Sequence, residues 1–170
     1  MSKPRQLNLA LQFRPAYEDD HFLVASCNGD AVAWVDRWPD WPSSCLIIHG
    51  PAGCGKTHLA EVFRRRARAQ TLSHNALAEN CARDPSETAG SWIVEDADSY
   101  LDGGDPEPLF HLLNQVREGR GHLLLSARAA PSQWCIGLDD LRSRINAAPA
   151  VAIGSPDDEL LAAVLVKHFG

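Results

Sequence analysis

The eight residues Gly50-Pro51-Ala52-Gly53-Cys54-Gly55-Lys56-Thr57 match the pattern G-x-x-x-x-G-K-S/T at every fixed position. Each required residue type has a chemical reason. Glycines let successive backbone N–H groups wrap round phosphate oxygens, and a helix that follows aims its positive end at them. The Lys56 ammonium supplies charge to β- and γ-phosphates, and the Thr57 hydroxyl is a magnesium ligand. Such a loop also needs an acid at the end of a neighbouring strand. The segment Trp92-Ile93-Val94-Glu95-Asp96 offers two. Glu95 would face Mg2+, directly or through water, and Asp96 would orient the attacking water. The acids continue with Asp98, Asp102 and Asp105, but counted from Asp96 as an EF-hand loop the glycine position holds Leu101. These later acids read as a solvated loop, not a calcium site.

The elements that must hold the loop can be read from hydropathy. Cys45-Leu46-Ile47-Ile48-His49 is a short apolar run between Ser and Gly, the pattern of a buried parallel strand, and a helix is expected from Lys56 to Ala69. Ser91 to Val94, His122 to Ser126 and Ala150 to Ile153 repeat the strand pattern, with a further strand at Ala69 to Leu72. Helices are expected over Gly29 to Trp38 and Pro108 to Glu118, where apolar residues recur every three to four positions. Strands alternating with helices imply right-handed crossovers and a parallel sheet covered on both faces. The expected fold is a three-layer α/β phosphate-loop domain around a five-stranded parallel sheet, over residues 16–154. An extended arm precedes it over 1–15, and a lone helix over Pro156 to Phe169 belongs to residues 155–170.

Composition narrows the function classes. The chain has 170 residues and a formal net charge of −6. An acidic chain is a poor autonomous DNA binder, since DNA affinity rests largely on phosphate neutralisation by basic groups. Contact with DNA is therefore expected only indirectly. No apolar run approaches the roughly 18 residues of a membrane helix, and the amino terminus lacks the form of a secretory signal. Five dispersed cysteines without a CxxC pair read as reduced thiols of a cytoplasmic protein.

In its loop, its acidic strand end and the spacing between them, the chain resembles the AAA+ ATPase family. Within it, the chain looks like the DnaA-type replication initiators and, more closely, the Hda-type regulators of those initiators. Gly50 to Ala60 is similar to their phosphate loop. Phe22 to Asn28 is similar to the segment that packs near the adenine, which implies Val24 and Asn28 as further contacts of a bound ATP or ADP. Pro108 to Asn114 resembles the helix before the sensor strand, and Leu123 to Ser126 resembles that strand, giving Ser126 a catalytic place. Asp140 to Ile145 resembles the segment that offers an arginine finger, here Arg144, to the nucleotide of a neighbour.

Gln6-Leu7-Asn8-Leu9-Ala10-Leu11 looks like the motif by which Hda-type proteins dock on the DNA polymerase sliding clamp, with Gln6 as the hydrogen-bonding anchor and Leu7, Leu9 and Leu11 as apolar plugs. The resemblance implies a regulator that joins the clamp to a DnaA-type initiator, promotes hydrolysis of the ATP held by the initiator, and so represses re-initiation. An autonomous ATPase or loader acting on its own nucleotide is the alternative. Three departures from the family pattern imply weak hydrolysis of its own. Glu95 stands where Asp is common. Ser126 is followed by Ala127-Arg128, where Asp or Asn is often expected two residues after the serine. A single helix represents the lid, and its unpaired apolar face implies self-association. Arg64, Arg65, Arg66 and Arg68 read as a solvated helix face, and the five tryptophans as core.

Overall fold

The computed structural model describes residues 23–80 and 90–156. The arm over 1–15 with Gln6, Leu7, Leu9 and Leu11, and the expected terminal helix beyond Pro156, fall outside the described residues. In chain order the elements are α1 (Gly29–Asp36), β1 (Cys45–His49), α2 (Lys56–Ala67), β2 (Gln70–Leu72), α3 (His74–Asn80), β3 (Ser91–Val94), α4 (Ala97–Leu101), α5 (Glu107–Glu118), β4 (His122–Ala127), α6 (Asp139–Ala147) and β5 (Ala150–Ala152). All strand pairs are parallel, in the order β2-β3-β4-β1-β5.

Alternation along the strands divides the core between two faces. Cys45, Ile47, Trp92, Val94, Leu123 and Leu125 join Leu109, Leu112, Leu141 and Ile145 of α5 and α6 on one face. Leu46, Ile48, Ile93 and Leu124 join Val32 and Val35 of α1 and Leu59 and Phe63 of α2 on the other. The central strands β1, β3 and β4 are largely apolar because both faces are covered, whereas the edge strand β2 (Gln70–Leu72) is exposed at Gln70 and Thr71. This is the expected three-layer arrangement with five parallel strands.

The long helices follow from their spacing. In α5, Leu109, Leu112, Leu113 and Val116 form the buried stripe, Pro108 sits in the first turn, and Asp105 Oδ1 accepts the Glu107 N–H at 3.0 Å. In α2 the exposed face is salt-bridged. Glu61 accepts from Arg64 (2.6 Å) and Arg65 (2.9 Å), while Arg66 reaches Asp36 of α1 at 2.9 Å. Hydrogen bonds from the two guanidiniums hold the Glu61 carboxyl down at about 2. The arginine run is the solvated face expected of it.

Three elements differ from the expectation. Helix α1 stops at Asp36, before a tight turn in which Asp40 N–H donates to Arg37 O at 2.7 Å and the Trp41 indole N–H donates to Trp34 O at 2.7 Å. The segment after Asp96 is not a solvated loop at its start but the short helix α4, with Ala97 and Leu101 buried. Helix α3 was not anticipated, and it buries Leu77.

The tryptophans pack as expected. Trp41 stacks on Phe63 at 5.1 Å, and His122 meets Trp38 and Trp41 edge-on at 5.9 and 5.5 Å. The side chain of Phe63 is fully enclosed. Phe63→Ala therefore removes the plate beneath Trp41, and denaturant unfolding will show a loss of about 3–5 kcal/mol.

Candidate functional site

The site is built at the C-terminal ends of three adjacent strands. Gly50 follows β1, and its N–H donates to Ala127 O of β4 at 3.1 Å. A Cβ on Gly50 would collide with the carbonyl oxygen of Ile153, so the chain can pass only without a side chain there. Gly53 and Gly55 take positive φ values of 76° and 102°. These two glycines let the loop turn back over the start of α2, whose amino terminus no side chain caps. Leu59 N–H donates to Gly55 O at 3.0 Å. A helix's first turn presents N–H groups that its own carbonyls do not take up, so the loop mouth concentrates positive dipole ends.

Lys56 lies inside this cradle, only 8% exposed. Its ammonium donates to Gly50 O at 2.8 Å and Pro51 O at 2.9 Å, with Cys54 Sγ at 3.9 Å. The loop's own carbonyls thus satisfy the buried cation, and a stronger anionic acceptor at the mouth would compete for the same protons. Thr57 and His58 are exposed at the mouth, whereas Cys54 is buried. Burial lowers the affinity of His49 for a proton, so the imidazole at the end of β1 favours its neutral form.

Strand β4 stands between β1 and β3 and carries the link from loop to acids. Ser126 is paired with Ile48 of β1 and is almost fully buried. Its hydroxyl oxygen accepts the backbone N–H of Asp96 at 3.2 Å. Asp96 holds a left-handed conformation, φ 50° and ψ 45°, at the start of α4. That geometry is uncommon for a side-chain-bearing residue, though aspartate tolerates it better than most. The Asp96 and Glu95 side chains are both half-buried, and His74 Nε2 lies 3.0 Å from Glu95 O.

Asp98 makes a second tie that its sequence position did not reveal. Its Oδ2 accepts two N–H groups from beyond β4, Arg128 at 2.9 Å and Ala129 at 3.0 Å. Its other oxygen is buried without a hydrogen-bond partner among the described residues. Asp98 is therefore a structural clamp between α4 and the end of β4. No periodicity signals such a long-range contact.

Two expected site residues, Asn28 and Arg144, stand on other elements. Asn28 is buried, and its amide is committed to its own turn: Oδ1 accepts Ala25 N–H at 2.9 Å and Nδ2 donates to Leu23 O at 3.0 Å. It shapes the segment carrying Val24, which packs on the α1–α2 side of the core and is joined to the end of β5 where Gly154 N–H donates to Cys27 O (2.8 Å). Arg144 is on α6, its guanidinium 5.1 Å from the centre of the Phe110 ring. It is not part of the phosphate-loop cluster. Among the described residues no three His, Cys, Asp or Glu side chains form a metal cluster; Thr57 and Glu95 remain the candidates for magnesium.

Comparison with known proteins places this geometry. No protein-family model matches the chain. The chromosomal replication initiator protein DnaA of Magnetococcus marinus is 26% identical over 92% of the chain and 40% of its own length. A crystal structure of a DNA replication initiation factor shares 20% identity and a TM-score of 0.72 over 91% of this chain and 54% of that one. AMPPCP-bound DnaA from Aquifex aeolicus shares 20% identity and a TM-score of 0.71 over 92% and 56%. The chain thus spans about half or less of the length of these proteins. Its fold is the α/β fold of the AAA+ domain in the DnaA structures, and the sequence likeness supports the DnaA-like resemblance.

Because Asp98 alone satisfies two backbone N–H groups, Asp98→Ala leaves both without an acceptor. The variant will lose about 2–3 kcal/mol of stability, read by denaturant melts.

Proposed function

We propose that the chain is an adenine-nucleotide-binding regulator of the DnaA group that acts on a nucleotide held by another protein. Docked on the DNA polymerase sliding clamp through Gln6, Leu7, Leu9 and Leu11, it presents Arg144 to the ATP of a DnaA-type initiator. Hydrolysis there returns the initiator to its ADP form, and re-initiation of replication falls. DNA enters only through the clamp and the initiator.

The observation that carries this reading is the separation of Arg144 from its own phosphate loop. The loop opens at the C-terminal end of β1 and leads into α2, on one face of the sheet. Arg144 belongs to α6 on the opposite face, beside residues 42–45 at the other end of β1. Five residues of strand at about 3.3 Å rise already separate the two ends by roughly 13 Å. An arginine so placed serves a neighbour's nucleotide, where neutralising charge on the transferring phosphoryl group accelerates hydrolysis by about 10³–10⁵-fold. Water attacks the γ-phosphorus, the bond to the bridging oxygen breaks, and its electron pair leaves with ADP.

The chain's own nucleotide is a ligand of the cradle at Gly50, Pro51, Gly53, Cys54, Gly55, Lys56, Thr57 and His58. The bound analogue in the Aquifex aeolicus DnaA structure supports adenine nucleotide as the ligand class. Thr57 and Glu95 would hold Mg2+, which when bound neutralises phosphate charge. The backbone amides of the loop orient the phosphates, Lys56 exchanges its carbonyl acceptors for phosphate oxygens, and Asp96 is poised to orient water. The Ser126–Asp96 and Asp98–Arg128 ties keep that acidic corner in register with the loop.

Lys56→Ala deletes the buried cation, so calorimetry will show ADP affinity lowered at least about 10-fold, in line with the loss of a charge-assisted contact. Undiminished affinity would remove the cradle from the reading.

Turnover of initiator-bound ATP, measured with and without DNA-loaded clamp, tests the trans action. Stimulation will require the clamp, and Arg144→Ala and the triple change of Gln6, Leu7 and Leu9 to Ala will each abolish it. Turnover by the chain alone at the same rate would instead identify an autonomous ATPase.

A further inference from the structure

A cleft of about 470 Å³ opens where the start of β1 meets α5 and α6. Ser43, Ser44, Leu113, Arg117, Arg144 and Ala148 line it, and no acidic residue does. The volume is within the roughly 300–1,000 Å³ of small-molecule sites. Arg117 and Arg144 therefore line one cleft with no acidic residue in its wall. Arg64, Arg65, Arg66 and Arg142 each rest on a carboxylate. Neither Arg117 nor Arg144 forms an ion pair with any described residue.

Two cationic residues on one cleft without an acid make a wall of positive potential, which favours an anion. The wall is suited to such an anion. The Arg144 guanidinium stands over the Phe110 ring, its carbon 5.1 Å from the ring centre, a cation–π contact that holds the group on α5. Ser43 Oγ accepts the Cys45 N–H at 3.3 Å, which leaves its O–H free to donate. At the floor, burial pushes the Cys45 thiol up to about 12, so the sulfur adds no negative charge.

We propose that Arg117 is a second phosphate-binding cation of the trans site, and that the cleft receives the polyphosphate chain of a nucleotide held by a partner protein. The proposal rests on the reading of Arg144 as a trans-acting finger. A polyphosphate brings several charged oxygens in a row and can engage two guanidiniums and a hydroxyl together. A carboxylate brings one charge and leaves the second arginine uncompensated. Arg117 thus adds a contact to the phosphates while Arg144 meets the transferring group.

The test uses the full chain with initiator and DNA-loaded clamp, and reads single-turnover hydrolysis of initiator-bound ATP against chain concentration. Arg117→Ala will lower the maximal stimulated rate at least about 10-fold, with the half-maximal concentration little changed. Arg117→Lys will restore part of the rate because it restores the charge. The thermal midpoint of Arg117→Ala will match that of the unmodified chain, which separates a charge effect from misfolding. Full stimulation by Arg117→Ala where Arg144→Ala is inactive would overturn the proposal and leave the finger reading intact. Full stimulation by both variants would overturn the two together. A shift confined to the half-maximal concentration would also overturn it, marking Arg117 as a docking contact for an acidic protein surface.

Discussion

The parallel ladder between β1 and β4 is the constraint on which the site depends. Its register runs from Cys45 opposite Leu123 to His49 opposite Ala127, and the Gly50 N–H continues it onto Ala127 O. The phosphate loop therefore leaves the sheet just past Ala127. Because β3 pairs with the other edge of β4 and ends with Val94 opposite Leu125, Glu95 and Asp96 leave within about two residues of that level. A slip of one residue in either pairing would turn every inward side chain outward. Leu124 on one face and Leu123 and Leu125 on the other make such a slip costly. Core packing thus sets the position of the chemistry. The polar ties from Ser126 to Asp96 and from Asp98 to Arg128 and Ala129 refine it.

The same register explains why buried polar groups are tolerated here. Lys56 is nearly enclosed, yet two carbonyls accept from its ammonium. Asn28 is buried and makes its hydrogen bonds within its own turn. Each group costs desolvation, and each finds a local acceptor or donor that the fold would otherwise leave unpaired. Asp98 differs, with one oxygen doubly bonded and the other buried without a partner among the described residues. Its two backbone contacts span 30 and 31 residues of chain. A local polar residue could not make them.

How much of this was legible in the sequence depended on the range of the interaction. Strand β1 from Cys45 to His49 and strand β3 from Ser91 to Val94 coincide with their apolar runs, because burial on both faces leaves a continuous signal. The loop glycines were legible too, since their backbone requirements are local. Helices α3 and α4 were not. At seven and five residues they complete too few turns for a periodicity to emerge, and they are held by tertiary contacts such as Leu77 and Leu101 in the core. Asn28 was expected beside the nucleotide from likeness alone, and the hydrogen bonds of its side chain to its own turn were not legible in the spacing. The meeting of Arg117 with Arg144, 27 positions apart on two helices, is a product of packing that no spacing rule encodes.

Charge follows the same division. The acidic excess of the chain argues against a broad electrostatic grip on DNA, and the basic run on α2 is largely occupied by Glu61 and Asp36. Two cationic features stand at the two ends of β1. One is the loop mouth, where helix dipole and Lys56 converge. The other is the cleft at its start, where two arginines face no acid. Strand β1 between them holds the loop mouth and the cleft at opposite ends of the sheet.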